Sequence, residues 1–252
     1  MMLRPRSRPC THETTYQGFS VSAILHRARL QQIRIALASA DLPPSGRLAD
    51  FGCSNGFIIE ELQRYSICAG WTFDGFDHNT ELLRAAIDKR IPHSTFSRVD
   101  LNAPESTPSG LYDLVLCLET LEHTGNYRNA AWNVLRACAP GGHVLITVPN
   151  ETGVPGLVKF FARSLLRDDP YGDFFTNKSR VKYTWRLLTS GDLEGFREPP
   201  RPGWGPHLGF DVRRFEQWVA EKSRGDFASV RRWSIAANFN RMYLFKRLTG
   251  VA

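Results

Sequence analysis

The chain has 252 residues, 42% of them hydrophobic and 23% charged, with a formal net charge of +7. These values exclude a wholly disordered, collagen-like or coiled-coil chain, and no apolar run approaches the ~18 residues needed to span a bilayer. Five cysteines in so long a chain are few, and the arginine-bearing start lacks the apolar stretch of a secretory signal, so a reduced, cytoplasmic setting is expected.

Residues 1–20 are polar and rich in Pro and Arg, and are expected to form a flexible arm ahead of one domain spanning 21–252. An amphipathic helix is expected from Ser22 to Ala40, stopped by Leu42-Pro43-Pro44-Ser45-Gly46. Strands and helices then alternate: strand Arg47–Phe51, helix Phe57–Tyr65, strand Trp71–Phe76, helix Thr80–Lys89 and strand Thr95–Val99. Tyr112–Leu118 is the strongest buried strand, followed by helix Tyr127–Cys138 and, after Pro140-Gly141-Gly142, strand His143–Val148. This alternation implies βαβ crossovers and a parallel sheet covered on both faces. The rhythm breaks over 151–209, a Pro- and Gly-rich stretch expected to be an inserted lid, with helices only at Gly156–Arg167 and Asn177–Thr189. Helix Val212–Lys222 and strands Ala228–Ala236 and Arg241–Arg247 close the chain, the strands as an antiparallel pair at the sheet edge.

The most informative string is LADFGCSNGFIIEEL, residues 48–62. A strand ends at Asp50-Phe51, Gly52 and Gly56 bracket a tight turn, and a helix begins near Phe57, so backbone can approach a ligand closely there. The string lacks the middle glycine of the dinucleotide fingerprint and the Lys and Ser/Thr of a P-loop, which disfavours pyrophosphate and triphosphate. In their place carboxylates stand at successive strand ends: Asp50, Asp77 and Asp100. An acid after the second strand suits both hydroxyls of a ribose. Asp50 suits an ammonium and Asp100 an exocyclic adenine amine, which together describe a nucleoside with an amino-acid tail. A plainer reading makes the glycines a turn, Asp77 and Asp100 helix caps, and the Cys53 thiol a small core filler.

DFGCSNG, GFD, VDLN and YDLVLCLETLEH, in that order, resemble the class I S-adenosylmethionine-dependent methyltransferases, over about residues 22–150 and more loosely the last forty. The ETLEH box is similar to that of a small-molecule subset that includes ubiquinone-pathway O-methyltransferases. The resemblance implies an α/β, Rossmann-like, doubly wound seven-stranded sheet, mostly parallel with an antiparallel last strand, and S-adenosylmethionine lying over its C-terminal strand edges. By position it carries cofactor-binding roles onto Asp50, Gly52, Cys53, Gly56, Asp77, His78, Asp100, Leu101, Leu118 and Glu119.

Glu119, Glu122 and His123 follow the strongest buried strand, and a helical turn there would put all three on one face. Three readings compete. His123 serves as general base for an acceptor hydroxyl; or the three side chains hold a divalent cation, as in enzymes that the box resembles, including RNA terminal 2′-O-methyltransferases; or the box only caps the next helix. His207, in GPHLGFD, is a second candidate for base or ligand.

In the lid, Lys159, Arg163 and Arg167 stand four residues apart on a helix otherwise rich in apolar residues. Such a stripe over 156–167 suits a peripheral membrane contact or an amphiphilic acceptor, or else is the wet edge of a lid helix. The aromatics Phe160, Phe161, Tyr171, Phe174, Phe175, Tyr183, Trp185 and Trp204 suit an acceptor pocket or a core.

Charge is unevenly placed, with a net of +5 over residues 1–49, −5 over 50–149 and +7 over 150–252. The acidic third is the expected cofactor half, and the basic parts those that would cover the acceptor, which speaks for an anionic or amphiphilic small molecule. The leading expectation is therefore methyl transfer to a hydroxyl, less readily an amine, of a sugar, phenol or secondary metabolite. A metal-dependent RNA ribose 2′-O-methyltransferase and a non-catalytic cofactor-binding scaffold are the alternatives.

Overall fold

The computed structural model describes residues 21–65, 67–166, 178–189, 191–197, 208–235 and 238–250, without the side chains of residues 21–26 and Leu166. The expected N-terminal arm, His207, Arg167, Tyr171, Phe174, Phe175 and Trp204 lie outside them.

Helix α1, Val21–Ala38, precedes strand β1, Arg47–Phe51. Helix α2 (Phe57–Arg64), strand β2 (Thr72–Asp77), helix α3 (Thr80–Asp88) and strand β3 (Ser94–Arg98) follow, each within a residue or so of expectation. Next come β4 (Tyr112–Leu118), a 3-10 turn at Leu121–His123, α4 (Tyr127–Ala137) and β5 (Cys138–Pro149). β5 starts five residues earlier than expected, because Cys138 already pairs with Tyr112 and the Pro140-Gly141-Gly142 segment is taken up as an irregularity before His143 pairs with Leu114. The inserted stretch holds α5 (Gly153–Leu166), α6 (Arg180–Leu188) and a 3-10 turn at Glu194–Phe196. Helix α7 (Val212–Lys222) and strands β6 (Phe227–Ile235) and β7 (Asn240–Arg247) complete the chain.

The strands form one seven-stranded sheet in the order β3-β2-β1-β4-β5-β7-β6. β1 to β5 run parallel, and β7 is antiparallel to both β5 and β6. Alternation along the strands explains why both faces are covered: in β4, Leu114, Leu116 and Leu118 face α1 and α2, while Val115 and Cys117 face α4 and α7. The first face gathers Ile33 and Leu37 of α1 with Ile59 and Leu62 of α2; the second gathers Ala130 and Val134 of α4 with Phe215 and Val219 of α7. Each fully buried Leu, Ile or Phe contributes roughly 1.5–3 kcal/mol, so these two layers fix which way every strand end points. Chain order reverses between β1 and β4, which opens a crevice at their C-terminal ends.

A smaller core lies in the insertion, where Phe160 of α5 meets Tyr183 and Leu187 of α6, with Leu193, Phe196 and Leu208. Phe160 and Tyr183 are thus part of this smaller core, while Phe161 and Trp185 face outward. The expected basic stripe on α5 is corrected: Lys159 and Arg163 turn inward onto the buried Glu151 carboxylate, at 3.4 Å and 2.8 Å from Oε1. A basic side chain next to a buried carboxylate has more to gain there than in water. No helix among the described residues is long and apolar enough to cross a membrane.

Candidate functional site

The crevice at the β1/β4 reversal is floored by the turn between β1 and α2. Gly52 has φ +83° and donates its N–H to the Phe76 carbonyl at 2.7 Å, beside the Cys53 N–H at 3.0 Å. A Cβ at Gly52 would lie 2.1 Å from Thr120 Oγ1, so glycine is required both by the backbone and by the close approach of the segment after β4. Gly56, at φ +74°, turns the chain into α2, and a Cβ there would press on Ile91 and Phe96. The Cys53 thiol is buried, close to Gly75, and burial with the Asp50 and Asp77 carboxylates pushes it well up, which leaves it a neutral filler.

Asp77 ends β2. Its Oδ2 accepts the Ser54 N–H at 2.9 Å and its Oδ1 accepts the Asn79 N–H at 2.9 Å, with His78 Nδ1 3.4 Å away. Burial opposes ionisation of this carboxyl, but hydrogen bonds from His78, Asn79 and Ser54 outweigh it and hold the pKa below its ordinary value. The cap of α3 is Asn79, whose side chain accepts from Glu81 and Leu82, so Asp77 is free of that duty. Asp100 differs. It is exposed, and its Oδ1 accepts both the N–H and the side-chain amide of Asn102, so it caps a turn and not a helix. Leu101 beside it is buried, as is Leu118 at the end of β4.

Asp50, at the end of β1, is buried, and its Oδ2 has no hydrogen-bond partner among the described residues. Burial first, and then the Asp77 carboxylate, push its pKa up to about 7. Glu119 follows β4 in a left-handed conformation, φ +52°, with its N–H donated to Thr147. Its Oε2 receives Asn240 Nδ2 at 2.5 Å and Arg29 Nη1 at 3.2 Å, whereas its buried Oε1 has no partner among the described residues. The crevice thus holds two buried carboxylate oxygens able to accept hydrogen bonds from a ligand rich in donors.

The ETLEH box departs from the expected helical face. Left-handed Glu119 precedes the 3-10 turn that carries Glu122 and His123, so the spacing of an α-helix does not apply. Glu122 is fully buried, and burial together with the nearby Glu119 carboxylate raises its pKa well above the usual range. Among the described residues no group of three His, Cys, Asp or Glu side chains is placed to hold a metal ion. His123 is partly buried, and Arg197 holds the backbone on either side of it: Arg197 Nη2 donates to the carbonyls of Glu122 at 2.9 Å and Thr124 at 2.5 Å. The Arg197 guanidinium sits 5.6 Å from the ring centres of both Tyr127 and Phe210.

Arg29, Asn240 and Arg197 escape the sequence reading, because each reaches the site from an element distant in sequence. The available signal is weak: Arg29 is a cation on the buried face of an amphipathic helix that also carries Arg27 and Arg34.

Residues 24–190 match the family described as "Methyltransferase domain". A ubiquinone biosynthesis O-methyltransferase of Cronobacter sakazakii is 33% identical over 138 residues, covering 50% of this chain and 52% of the relative. Its namesake in Rickettsia bellii is 29% identical over 111 residues, 42% of each chain. The chain therefore spans about half the length of the curated relatives it matches. Among solved structures, magnesium protoporphyrin IX methyltransferase of Synechocystis with bound SAH gives a TM-score of 0.59 at 15% identity, covering 93% of this chain and 92% of the other. The N-methyltransferase NodS of Bradyrhizobium japonicum, in complex with S-adenosyl-L-homocysteine, gives 0.51 at 17%, with coverage of 88% and 87%. These two likenesses concern the fold.

Proposed function

The chain belongs to the class I S-adenosylmethionine-dependent methyltransferases, and from that premise we propose that it methylates a hydroxyl group of a small-molecule acceptor. The observation that carries the binding half is the pair of buried carboxylate oxygens, Asp50 Oδ2 and Glu119 Oε1, around a turn that only glycine can make. Asp77, held ionised, accepts from the two ribose hydroxyls; Asp50, with Glu119 beside it, accepts from the ammonium. Gly52, Cys53 and Gly56 contribute backbone, and His78, Leu101 and Leu118 border the adenosine. Asp100, tied up in its turn, retains one oxygen for the adenine amine.

Bound S-adenosylmethionine supplies a methyl already activated on a sulfonium, so the protein's own task is alignment and exclusion of water. His123 takes the acceptor's hydroxyl proton on an imidazole nitrogen, and Arg197, through the carbonyls on either side, keeps that ring in place. The relatives named for ubiquinone biosynthesis support oxygen over nitrogen as the acceptor atom. The acidic cofactor half and basic lid support an anionic or amphiphilic acceptor. Four buried, unbridged thiols, at Cys53, Cys68, Cys117 and Cys138, support a reducing compartment such as the cytoplasm.

The test is incubation with methyl-labelled cofactor and source-cell extract, separated into RNA, lipid and small-metabolite fractions. Label in an alkali-stable ether of a small or lipid-like molecule is expected. Label confined to RNA, or none above a boiled control, would overturn the proposal.

A further inference from the structure

Arg197 brings unmatched donors to the site. It stands in the stretch between β5 and α7, and its Nη2 directs its N–H groups to the Glu122 and Thr124 carbonyls, at 2.9 Å and 2.5 Å. The Tyr127 and Phe210 rings, their centres each 5.6 Å away, flank the guanidinium. Nη1 and Nε are left. Both atoms are buried, and neither has a hydrogen-bond partner among the described residues. Nη1 carries two N–H groups and Nε one, and folded proteins rarely leave such donors both shut off from water and unanswered.

The charge is unanswered as well. Burial lowers the Arg197 pKa, and the opposing pull of Glu122, Tyr127 and Glu194 does not make up for it. Glu122 is itself raised well above the usual carboxylate range by burial and the Glu119 carboxylate, so near neutral pH it keeps its proton. Tyr127 is raised too, by burial and by Glu194, and stays a neutral hydroxyl. Glu194 is already engaged: Oε1 and Oε2 accept from Arg128 Nη2 at 2.8 Å and 2.9 Å, and Oε1 also accepts from the Tyr127 hydroxyl. Lys159 and Arg163 of α5 are paired with Glu151. What Arg197 lacks is a single negative charge borne on oxygen, which describes a carboxylate better than a phosphate dianion.

We propose that the acceptor is a hydroxy acid, whose carboxylate accepts from Arg197 Nη1 while its hydroxyl faces His123. This deepens the hydroxyl-acceptor reading and rests on it. The carbonyls that hold Nη2 lie on either side of His123, so an anion seated on Arg197 brings the rest of its molecule to that ring. Arg197 then has two duties, seating the turn and selecting acceptors by charge.

Titration of the full chain, loaded with S-adenosylhomocysteine, with benzoate tests this; benzyl alcohol serves as the neutral counterpart and phenyl phosphate as the dianionic one. The signal is the Nε–H resonance of Arg197 in nuclear magnetic resonance, identified by its absence from Arg197→Lys. Benzoate is expected to shift it saturably, benzyl alcohol to leave it in place, and phenyl phosphate to bind more weakly than benzoate. In calorimetry, benzoate affinity should fall ~10-fold or more in both Arg197→Lys and Arg197→Met, with S-adenosylhomocysteine affinity unchanged. Should a variant fail to fold, the resonance in the parent decides alone. No saturable shift with benzoate, an equal shift with benzyl alcohol, or tighter binding of phenyl phosphate would each overturn the proposal. Because no methyl moves in this titration, its failure would leave the hydroxyl reading standing, whereas label confined to RNA in the extract experiment would remove that reading even where benzoate binds.

Discussion

Asp50 and Asp77 sit close enough to feel each other, yet their surroundings push their pKa values in opposite directions. Asp77 is held ionised by backbone N–H groups and His78, so Asp77→Ala removes the charged acceptor proposed for the cofactor's ribose while leaving the sheet intact. Cofactor affinity by calorimetry should fall at least ~100-fold, in line with losing charge-assisted hydrogen bonds to two hydroxyls; near-native affinity would sink the assignment. Asp50 behaves differently because its folded pKa, about 7, lies above the ordinary 3.8. A carboxyl raised in this way binds its proton more tightly when folded. Its contribution to stability is therefore present below pH ~4 and lost as pH rises towards 7, at roughly 1.4 kcal/mol per unit. The ligand-free protein should accordingly be stabilised above pH 7 by Asp50→Asn, seen as a higher Tm. Cofactor binding should show the reverse, strengthening in the parent as pH rises through 7 and losing most of that dependence in the variant. A variant with lower Tm at pH 8, or with an unchanged affinity profile, would remove the ammonium role from Asp50.

At the scale of elements, the segments that matter most are the two turns that meet over the crevice. Gly52→Ala puts a methyl 2.1 Å from Thr120 Oγ1 at φ +83°, and both strain and contact resist it. A loss of ~1–3 kcal/mol is expected, and the double variant with Thr120→Ala should recover the part due to contact; no recovery in urea denaturation would mean that the two turns do not press on each other. The second turn depends on Arg197, in the stretch after β5 that we propose to be a lid. Arg197→Lys keeps a charge but loses the planar Nη2 group whose two N–H bonds go to the Glu122 and Thr124 carbonyls, so turnover should drop ~10-fold with cofactor affinity unchanged. Equal turnover would detach the lid from His123. The strands that position these turns were legible in the sequence, because buried parallel strands are short apolar runs whatever surrounds them. Asp50, Asp77 and the glycines were legible for the same reason: each stands at the end of such a run. What the ETLEH box does was not. Nothing local announces a left-handed Glu119, whose conformation is sustained by Thr147, Asn240 and Arg29 from three other elements. Nor does helical spacing say which side of α5 faces inward; that is decided by Glu151, which lies outside the helix.

For the molecule as a whole, the uneven charge of the sequence becomes a statement about how two parts are joined. The sheet supplies the carboxylates of the crevice, and the lid is tied back to it at charged points. Glu151 holds Lys159 and Arg163, Glu194 holds Arg128 in a two-pronged pair and also receives the Tyr127 hydroxyl, and Arg197 holds the turn at His123. Of these ties, Glu151 is the most deeply buried, at 2% exposure, and its two cations are mostly covered. Removing one partner from such a group leaves the others desolvated without compensation, which commonly costs ~3–5 kcal/mol, whereas the intact cluster need not add net stability. Because the lid has its own small core, that cost should fall on the lid's attachment before it reaches the sheet. Glu151→Gln is therefore expected to open sites within α5 and α6 to trypsin at least ~10-fold faster, while calorimetric cofactor affinity stays near the parent value. Added S-adenosylmethionine should protect the sheet and leave lid cleavage fast. If cleavage keeps its parental rate, or if the lid and the cofactor site are lost together in one transition, the lid is an integral part of the central fold and not a separately anchored cover.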